Sequence, residues 1–456
     1  MTAKSPIDGA RSPLDLDRAL DLVDGLQTSQ VAGRVTELTG LVLRATAPGA
    51  KVGELVNVER PADRSRTLQA EVVGFRGEEV VLLPLGDASG VGPDSVVRPT
   101  GRPFTIRCGP SLLGRVLDGT GEPIDGRGPL EDEGGKSTLE PWAVDRAAPH
   151  PLARRRITQP MPFGLRAIDG CLTVGEGQRI GLFAGPGLGK STLLGQIARH
   201  ADAEVTVIGL VGERGREVRD FIEEQLGDEG LRRSVVVCAT SDAPPLLRLK
   251  SAFVATAIAE HFRDRGKRVL LLLDSLTRVA RAQREVGLAA GEPPARHGFP
   301  PSVFAMLPRL LERTGQSDRG SITAVYAILV SGEDDLDDPV AEEVRAILDG
   351  HIVLSRDLAA RNQWPAIDVV RSLSRVMDSI VDDQHRAAAA RLREVVATYD
   401  RQRELILLGA YRPGSDPATD DAVDRIDDAR RFLRQKRDER QPFAATRDEL
   451  LSLFGD

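Results

Sequence analysis

The stretch Ala184-Gly185-Pro186-Gly187-Leu188-Gly189-Lys190-Ser191-Thr192 decides the fold. Before it runs Arg179-Ile180-Gly181-Leu182-Phe183, short, apolar and strand-like. After it, Leu193, Leu194, Ile197 and Ala198 fall on one helical face. Strand, Gly-rich turn, Gly-Lys-Ser and helix is the context a phosphate-binding loop requires. Gly185, Gly187 and Gly189 let backbone N–H groups point at an anion, and the helix N-terminus adds partial positive charge. This reading assigns Gly185, Pro186, Gly187, Leu188, Gly189, Lys190, Ser191 and Thr192 to the phosphates of a nucleotide, with Lys190 on the β- and γ-phosphates and Ser191 on Mg²⁺. The strict pattern begins with Gly. Here that position is Ala184, a sterically mild departure.

Working outward, residues 161–378 alternate apolar strands with helices. The expected strands are Arg179–Phe183, Val205–Val211, Val235–Ala239, Val269–Asp274, Thr323–Val330 and His351–Leu354, with Leu246–Arg265 the most evident helix. Such alternation predicts an α/β layer with a largely parallel sheet and ligands at the carboxyl ends of its strands. Upstream, Val31–Val35, Leu41–Leu43, Leu55–Val58, Ala70–Val73 and Val80–Leu83 are short, β-rich and separated by turn residues, the pattern of a small closed β-barrel. Leu113–Asp125 is dense in Gly and Asp and reads as turns. Residues 126–160 are Pro-, Gly- and Arg-rich and read as a linker. Downstream of Ser379 the chain is charged and helical, with Ala387–Leu408 and Asp420–Arg437 the periodic stretches and Gly409–Gly414 a break. At the start, Leu14, Leu16, Ala19, Leu20, Leu22 and Val23 form one apolar side of a short acidic helix, either packed on its own domain or docking a partner.

Composition narrows the function classes. The chain has 456 residues, 41% hydrophobic and 28% charged, with a net charge of −7. That is a soluble globular balance, and the acidic sign argues against broad nucleic-acid binding. No apolar run approaches a membrane span and no signal-peptide core opens the chain, which predicts a cytoplasmic protein. Cys108, Cys171 and Cys238 have neither metal nor redox spacing.

Five further features carry possible chemistry. Asp274 ends an apolar strand, where an acid beside a phosphate loop orients the Mg²⁺ shell. Glu213 ends another strand. Such a carboxylate either polarises a water in line with the γ-phosphate or simply favours the dipole of the helix expected over Glu217–Leu226. Arg278, Arg281 and Arg284 recur at three-residue spacing, facing a phosphate, a neighbouring subunit or solvent. Gly287–Pro301 is a long loop and Ser331–Pro339 an acidic one, a solvated turn or a nucleotide-sensing switch.

Together these stretches resemble the ATPases of type III protein secretion, in their flagellar-export and injectisome branches, which are similar to the catalytic heads of rotary ATP synthases. The matching segments are Leu113–Asp125, Gly181–Leu194, Gly209–Phe221, Leu271–Arg284, Gly291–Pro308, Ser331–Arg356 and Trp364–Met377. The resemblance implies an N-terminal helical extension (1–30), a six-stranded barrel (31–100), a RecA-like P-loop ATPase domain (101–378) and a C-terminal helical domain (379–456). It also implies a homohexameric ring that hydrolyses Mg²⁺-ATP to release chaperones and unfold export substrates. Stalk and regulatory proteins and peripheral contact with a membrane export gate would follow. By motif, Lys190, Ser191 and Thr192 bind phosphates and Mg²⁺, Glu213 is the catalytic carboxylate with Arg214 its neighbour, and Asp274 is the strand-end acid with Arg278 its support. Arg375 in Ser372-Leu373-Ser374-Arg375 matches an arginine finger. Trp364 falls where relatives place an aromatic against adenine, although Tyr or Phe is more usual. The Gly287–Pro301 loop would face a central pore. One chain carrying both Glu213 and Arg375 can make every interface of a ring active.

Three other readings compete. An RNA-dependent hexameric motor needs stacking platforms, and Phe75 is the only aromatic between Val31 and Pro99. A rotary ATP synthase subunit would have a second, homologous partner type. A non-hydrolysing structural subunit would not need Glu213.

Overall fold

The computed structural model describes residues 31–61, 63–130, 139–330 and 338–455. The expected N-terminal helix and most of the acidic loop Ser331–Pro339 lie outside them. Strands β1 (Gly33–Thr39), β2 (Val42–Ala45), β3 (Glu54–Arg60), β4 (Asp63–Arg76), β5 (Glu79–Pro84) and β6 (Val96–Pro103) form a closed barrel in the order β1-β2-β5-β4-β3-β6. Leu43, Val56, Val72 and Leu82 fill its interior. Closure depends on β6, which pairs with both β1 and β3. Sequence periodicity missed β6 because Arg98, Pro99 and Pro103 interrupt its alternation.

Beyond the barrel, β7 (Thr105–Cys108) pairs with β9 (Glu140–Ala143), so part of the expected linker is a strand. Trp142 of β9 stacks edge-on against His261 and under Arg146, which gives this polar segment an anchor. The other strands are β8 (Val116–Leu117), β10 (Arg179–Ala184), β11 (Val205–Glu213), β12 (Ser234–Thr240), β13 (Arg268–Asp274), β14 (Gly315–Gln316), β15 (Ser321–Leu329), β16 (Gly350–Val353) and β17 (Leu373–Ser374). They make one sheet in the order β17-β16-β10-β15-β13-β11-β12-β8, with β14 added against β15. All neighbours along this path run parallel except β16 and β17.

The central strands are apolar throughout because both faces are covered. In β13, Val269, Leu271 and Leu273 enter one core, while Leu270 and Leu272 enter the other. Each is fully buried, and truncating any of these leucines to Ala would cost about 2–5 kcal/mol. The helix Pro245–Arg263 lies over one face and Lys190–His200 over the other. Lys250 of the former reaches Glu71 of the barrel at 2.6 Å.

Two boundaries differ from expectation. The helix predicted over Glu217–Leu226 starts at Gly215 and widens into a π-helical turn at Phe221–Leu226. The long loop is shorter, since the helix Leu276–Ala289 runs into it and a single turn, Arg296–Gly298, interrupts it. The C-terminal part has helices Asp383–Leu407, Pro417–Leu433 and Phe443–Phe454, the last unread from sequence.

Candidate active site

Strand β10 delivers the chain into the phosphate-loop turn at the carboxyl edge of the sheet. Gly187 and Gly189 have φ of 78° and 79°, the left-handed region where glycine carries no penalty. Gly189 is required twice over, because a Cβ there would lie 3.0 Å from the Trp364 ring. The helix Lys190–His200 begins at once, so its free N–H groups face the same turn.

Two strand ends converge beside it. Lys190 Nζ bonds Asp274 at the end of β13 and lies 3.5 Å from Glu213 at the end of β11. Arg278 Nη1 lies 2.9 Å from Glu213 and also donates to the Gly212 carbonyl. Two cations thus face two carboxylates. Glu213 and Asp274 are buried, a placement tolerable only because each is paired. Gly212 had no signal in the sequence reading and is essential to the geometry. It has φ of 68°, and the register between β11 and β12 shifts across it. That bulge turns Glu213 toward Lys190, and the Arg278 side chain packs 3.1 Å from where a Cβ would stand.

Burial pushes the Glu213 carboxyl up to about 7, helped by the Asp274 charge and opposed by Lys190. A hydrogen bond to Glu217 raises it further, while Glu217 itself is held below the usual carboxylate range by the same bond. A base protonated below about pH 7 is inactive there. The kcat/KM for ATP should therefore fall roughly tenfold per unit as pH drops below that point. Glu217→Gln removes the carboxylate that accepts the Glu213 proton and should move the acidic limb to lower pH. A limb unmoved in that variant would separate Glu217 from the titration.

Arg214 is exposed and pairs with Glu217 at 3.7 Å. Arg281 and Arg284 are exposed, Arg284 over the Phe299 ring. Ser191 and Thr192 open the helix after Lys190. A hydroxyl at Ser191, next to Lys190, and the Asp274 carboxylate that Lys190 reaches are oxygen donors of the kind Mg²⁺ takes, with phosphate and water completing its octahedron. Among the described residues no group of three or more His, Cys, Asp or Glu could hold a metal ion by itself.

A cavity of about 310 Å³ opens beside the turn, lined by Gly187, Gly189, Thr192, Trp364, Gln435 and Arg437. The last two come from the C-terminal part and were not expected from sequence. Gln435 N–H donates to the Trp364 carbonyl at 2.9 Å. Its side chain is fully engaged, accepting from Arg166 N–H and donating to the Gly164 and Glu439 carbonyls. Gln196, on the helix that begins at Lys190, donates to the Lys436 and Arg437 carbonyls. The C-terminal part therefore builds one wall of the cavity.

Trp364 forms the other wall, with Nε1 held by Asn362 at 2.9 Å. A base stacked on it would gain roughly 1–3 kcal/mol. Trp364→Ala should raise KM for ATP at least about fivefold with little change in kcat. In a Trp142→Phe background, Trp364 fluorescence should respond to nucleotide. An unchanged signal and KM would remove it from the binding site.

Arg375 lies at the opposite end of the sheet. Ser374 pairs with Gly350, and Arg375 N–H donates to the Asp349 carbonyl, level with Arg179 at the start of β10. At roughly 3.3 Å per residue, the five steps from Arg179 to Ala184 put it about 17 Å from the phosphate turn of its own chain. That is farther than an arginine side chain extends.

Comparison with known proteins fits this geometry. Residues 164–374 match the nucleotide-binding domain of the ATP synthase alpha/beta family, and residues 35–101 match its β-barrel domain. Residues 381–452 match the C-terminal domain of the T3SS ATPase EscN. The chain is 53% identical over 426 residues to the type 3 secretion system ATPase of Xanthomonas euvesicatoria, covering 93% of this chain and 94% of that one. The chain belongs to the type III secretion ATPase family. It is also 47% identical to the flagellum-specific ATP synthase of Bacillus subtilis strain 168, over 96% and 98% of the two chains. The assembled ATPase EscN of enteropathogenic E. coli superposes with a TM-score of 0.86 at 43% identity, over 93% of this chain and all of that one. This member is accordingly an ATP-binding ATPase of type III secretion, and its relatives do not favour the RNA motor or the rotary subunit. No helix among the described residues is long and apolar enough to cross a membrane.

Proposed function

We propose that this ATPase hydrolyses Mg²⁺-ATP at the interfaces of a homohexameric ring, with each site built from two chains. Gly185 to Thr192 cradle the phosphates, Lys190 neutralises the β- and γ-phosphates, and Ser191 with Asp274 holds Mg²⁺. The ion supplies charge neutralisation to the phosphates. Glu213 accepts a proton from the attacking water, oriented by Arg278, and Trp364 stacks on adenine. Arg214 borders Glu213 and, through Glu217, acts on its environment. Arg375 enters the neighbour's site. The domain limits at residues 30, 100 and 378 belong to this reading.

The observation that carries it is the separation within one chain. Lys190, Glu213, Asp274 and Arg278 meet at the carboxyl edge, while Arg375 lies near the opposite end of β10. A heterologous ring contact brings the two ends of different chains together. EscN is described as assembled and in complex with its central stalk EscO, which supports self-assembly and a stalk partner here. Export substrates, chaperones, regulatory proteins, a pore-facing role for Gly287–Pro301 and attachment to the inner face of the cell membrane complete the proposal.

Specific activity should rise with protein concentration as rings form, in step with sedimentation as a hexamer. Full specific activity in a sedimenting monomer would overturn the two-chain site.

A further inference from the structure

Gln178 precedes β10 directly and is fully buried. Its Oε1 accepts from Gly175 N–H at 2.8 Å. Its Nε2 donates to the Asp349 carbonyl at 2.9 Å and to Ser374 Oγ at 3.1 Å. Ser374 Oγ also donates to the Thr173 carbonyl at 2.9 Å. The Asp349 carbonyl receives a second hydrogen bond, from Arg375 N–H at 3.0 Å. One buried amide thus grips both the residue before Arg375 and the carbonyl that holds Arg375.

This grip matters because β17 is weak by itself. It has two residues, pairs only with β16, and lies at the edge of the sheet. Two ladder pairs do little to fix a strand's register or direction. The Arg375 side chain is exposed and makes no hydrogen bond or ion pair among the described residues. Its aim is therefore set by its backbone. The Asp349 carboxylate adds a brace, receiving Arg179 Nε at 3.1 Å. None of these groups reaches the cluster around Lys190.

We propose that Gln178 is a positioning residue for Arg375, acting with Ser374 and the Asp349 carbonyl as a clamp that aims the finger into the neighbouring chain's site. This inference rests on the two-chain site proposed above. Gln178 lies just ahead of the strand that leads to its own chain's phosphate loop, yet its influence falls on the next chain's turnover. It also joins the two ends mechanically, since a shift in β10 is passed through Gln178 to the finger.

Ser374→Ala removes one clamped hydroxyl and keeps the Gln178 to Asp349 bond. Gln178→Met keeps the side-chain length and removes every polar contact. Because the latter leaves buried groups without partners, Ser374→Ala is the variant that must fold. Both should form rings, bind nucleotide like the parent, and lose about tenfold or more in kcat, part of the 10³–10⁵ a finger can supply. Mixing tells whose site is affected. Combined one to one with Glu213→Gln chains, which carry an intact clamp and finger, either variant should recover to about a quarter of parental activity by counting interfaces. Combined with Arg375→Ala chains, neither should gain.

Recovery with Arg375→Ala in place of Glu213→Gln would put Gln178 in its own chain's site and overturn the inference. So would parental kcat in Ser374→Ala, or verified mixed rings that gain with neither partner. The pair Glu213→Gln with Arg375→Ala serves as control. Its failure would sink the two-chain site, and the clamp with it. Its success beside a wrong pairing for Ser374→Ala would sink the clamp alone.

Discussion

Arg375→Ala should assemble into rings, bind ATP normally and lose 10³–10⁵ in turnover, the range an arginine finger supplies to the transferring phosphoryl group. The charge acts where negative charge develops in the transition state, so the loss falls on kcat and not on nucleotide affinity. Arg375 lies about 17 Å from the phosphate turn of its own chain by strand count, and its backbone is fixed to Asp349 beside Arg179. On the two-chain proposal the lost group belongs to the neighbour's site. Arg375→Ala retains Glu213, and Glu213→Gln retains Arg375. Each alone should be nearly inactive. Mixed one to one, about a quarter of random interfaces in a heterologous ring join a sound Glu213 to a sound Arg375. Hydrolysis should return in proportion and rise with protein concentration. Mixed rings confirmed by sedimentation, with no recovered turnover even in a single-turnover assay, would count against the finger in trans.

Glu213→Gln should nearly abolish hydrolysis, by 10²–10⁴, while leaving nucleotide affinity close to that of the parent. Gln matches Glu in shape and keeps a hydrogen-bonding oxygen for Arg278, which holds Glu213 at 2.9 Å. It cannot accept a proton at neutral pH. Lys190→Ala should behave differently. In the proposed site its ammonium contacts phosphate in the ground state, so binding should weaken together with turnover. It also leaves Asp274 and Glu213 facing one another with Arg278 the remaining cation of the cluster, an arrangement costly to bury. Nucleotide affinity and steady-state hydrolysis of both variants decide the matter. Near-parental turnover in Glu213→Gln would remove Glu213 from proton transfer, and unchanged affinity in Lys190→Ala would remove the ground-state contact.

Local sequence determined the elements that depend on neighbours a few residues away. The loop Gly185–Thr192 was legible because strand, glycine turn and helix follow one another within a single stretch. The parallel core was legible because strands buried on both faces become continuous apolar runs, as in Val269–Leu273. Asp274 and Glu213 could be placed at the ends of such runs, although which way Glu213 turns could not. That turn depends on a bulge at Gly212, and a single glycine carries no record of the register it will shift. Strand β6 escaped because its prolines and arginine disguise the alternation, while its place is fixed by the strands on either side. Tertiary structure alone set Gln435 and Arg437 beside Trp364, since a wall built from segments about 70 residues apart follows from packing and leaves no periodic trace. It alone showed that Arg375 is held far from its own Lys190, and that Gln178 holds the strand bearing it. Hydrogen bonds between residues nearly 200 positions apart are chosen by the folded sheet, because burial obliges each polar group to find whatever partner the fold brings near.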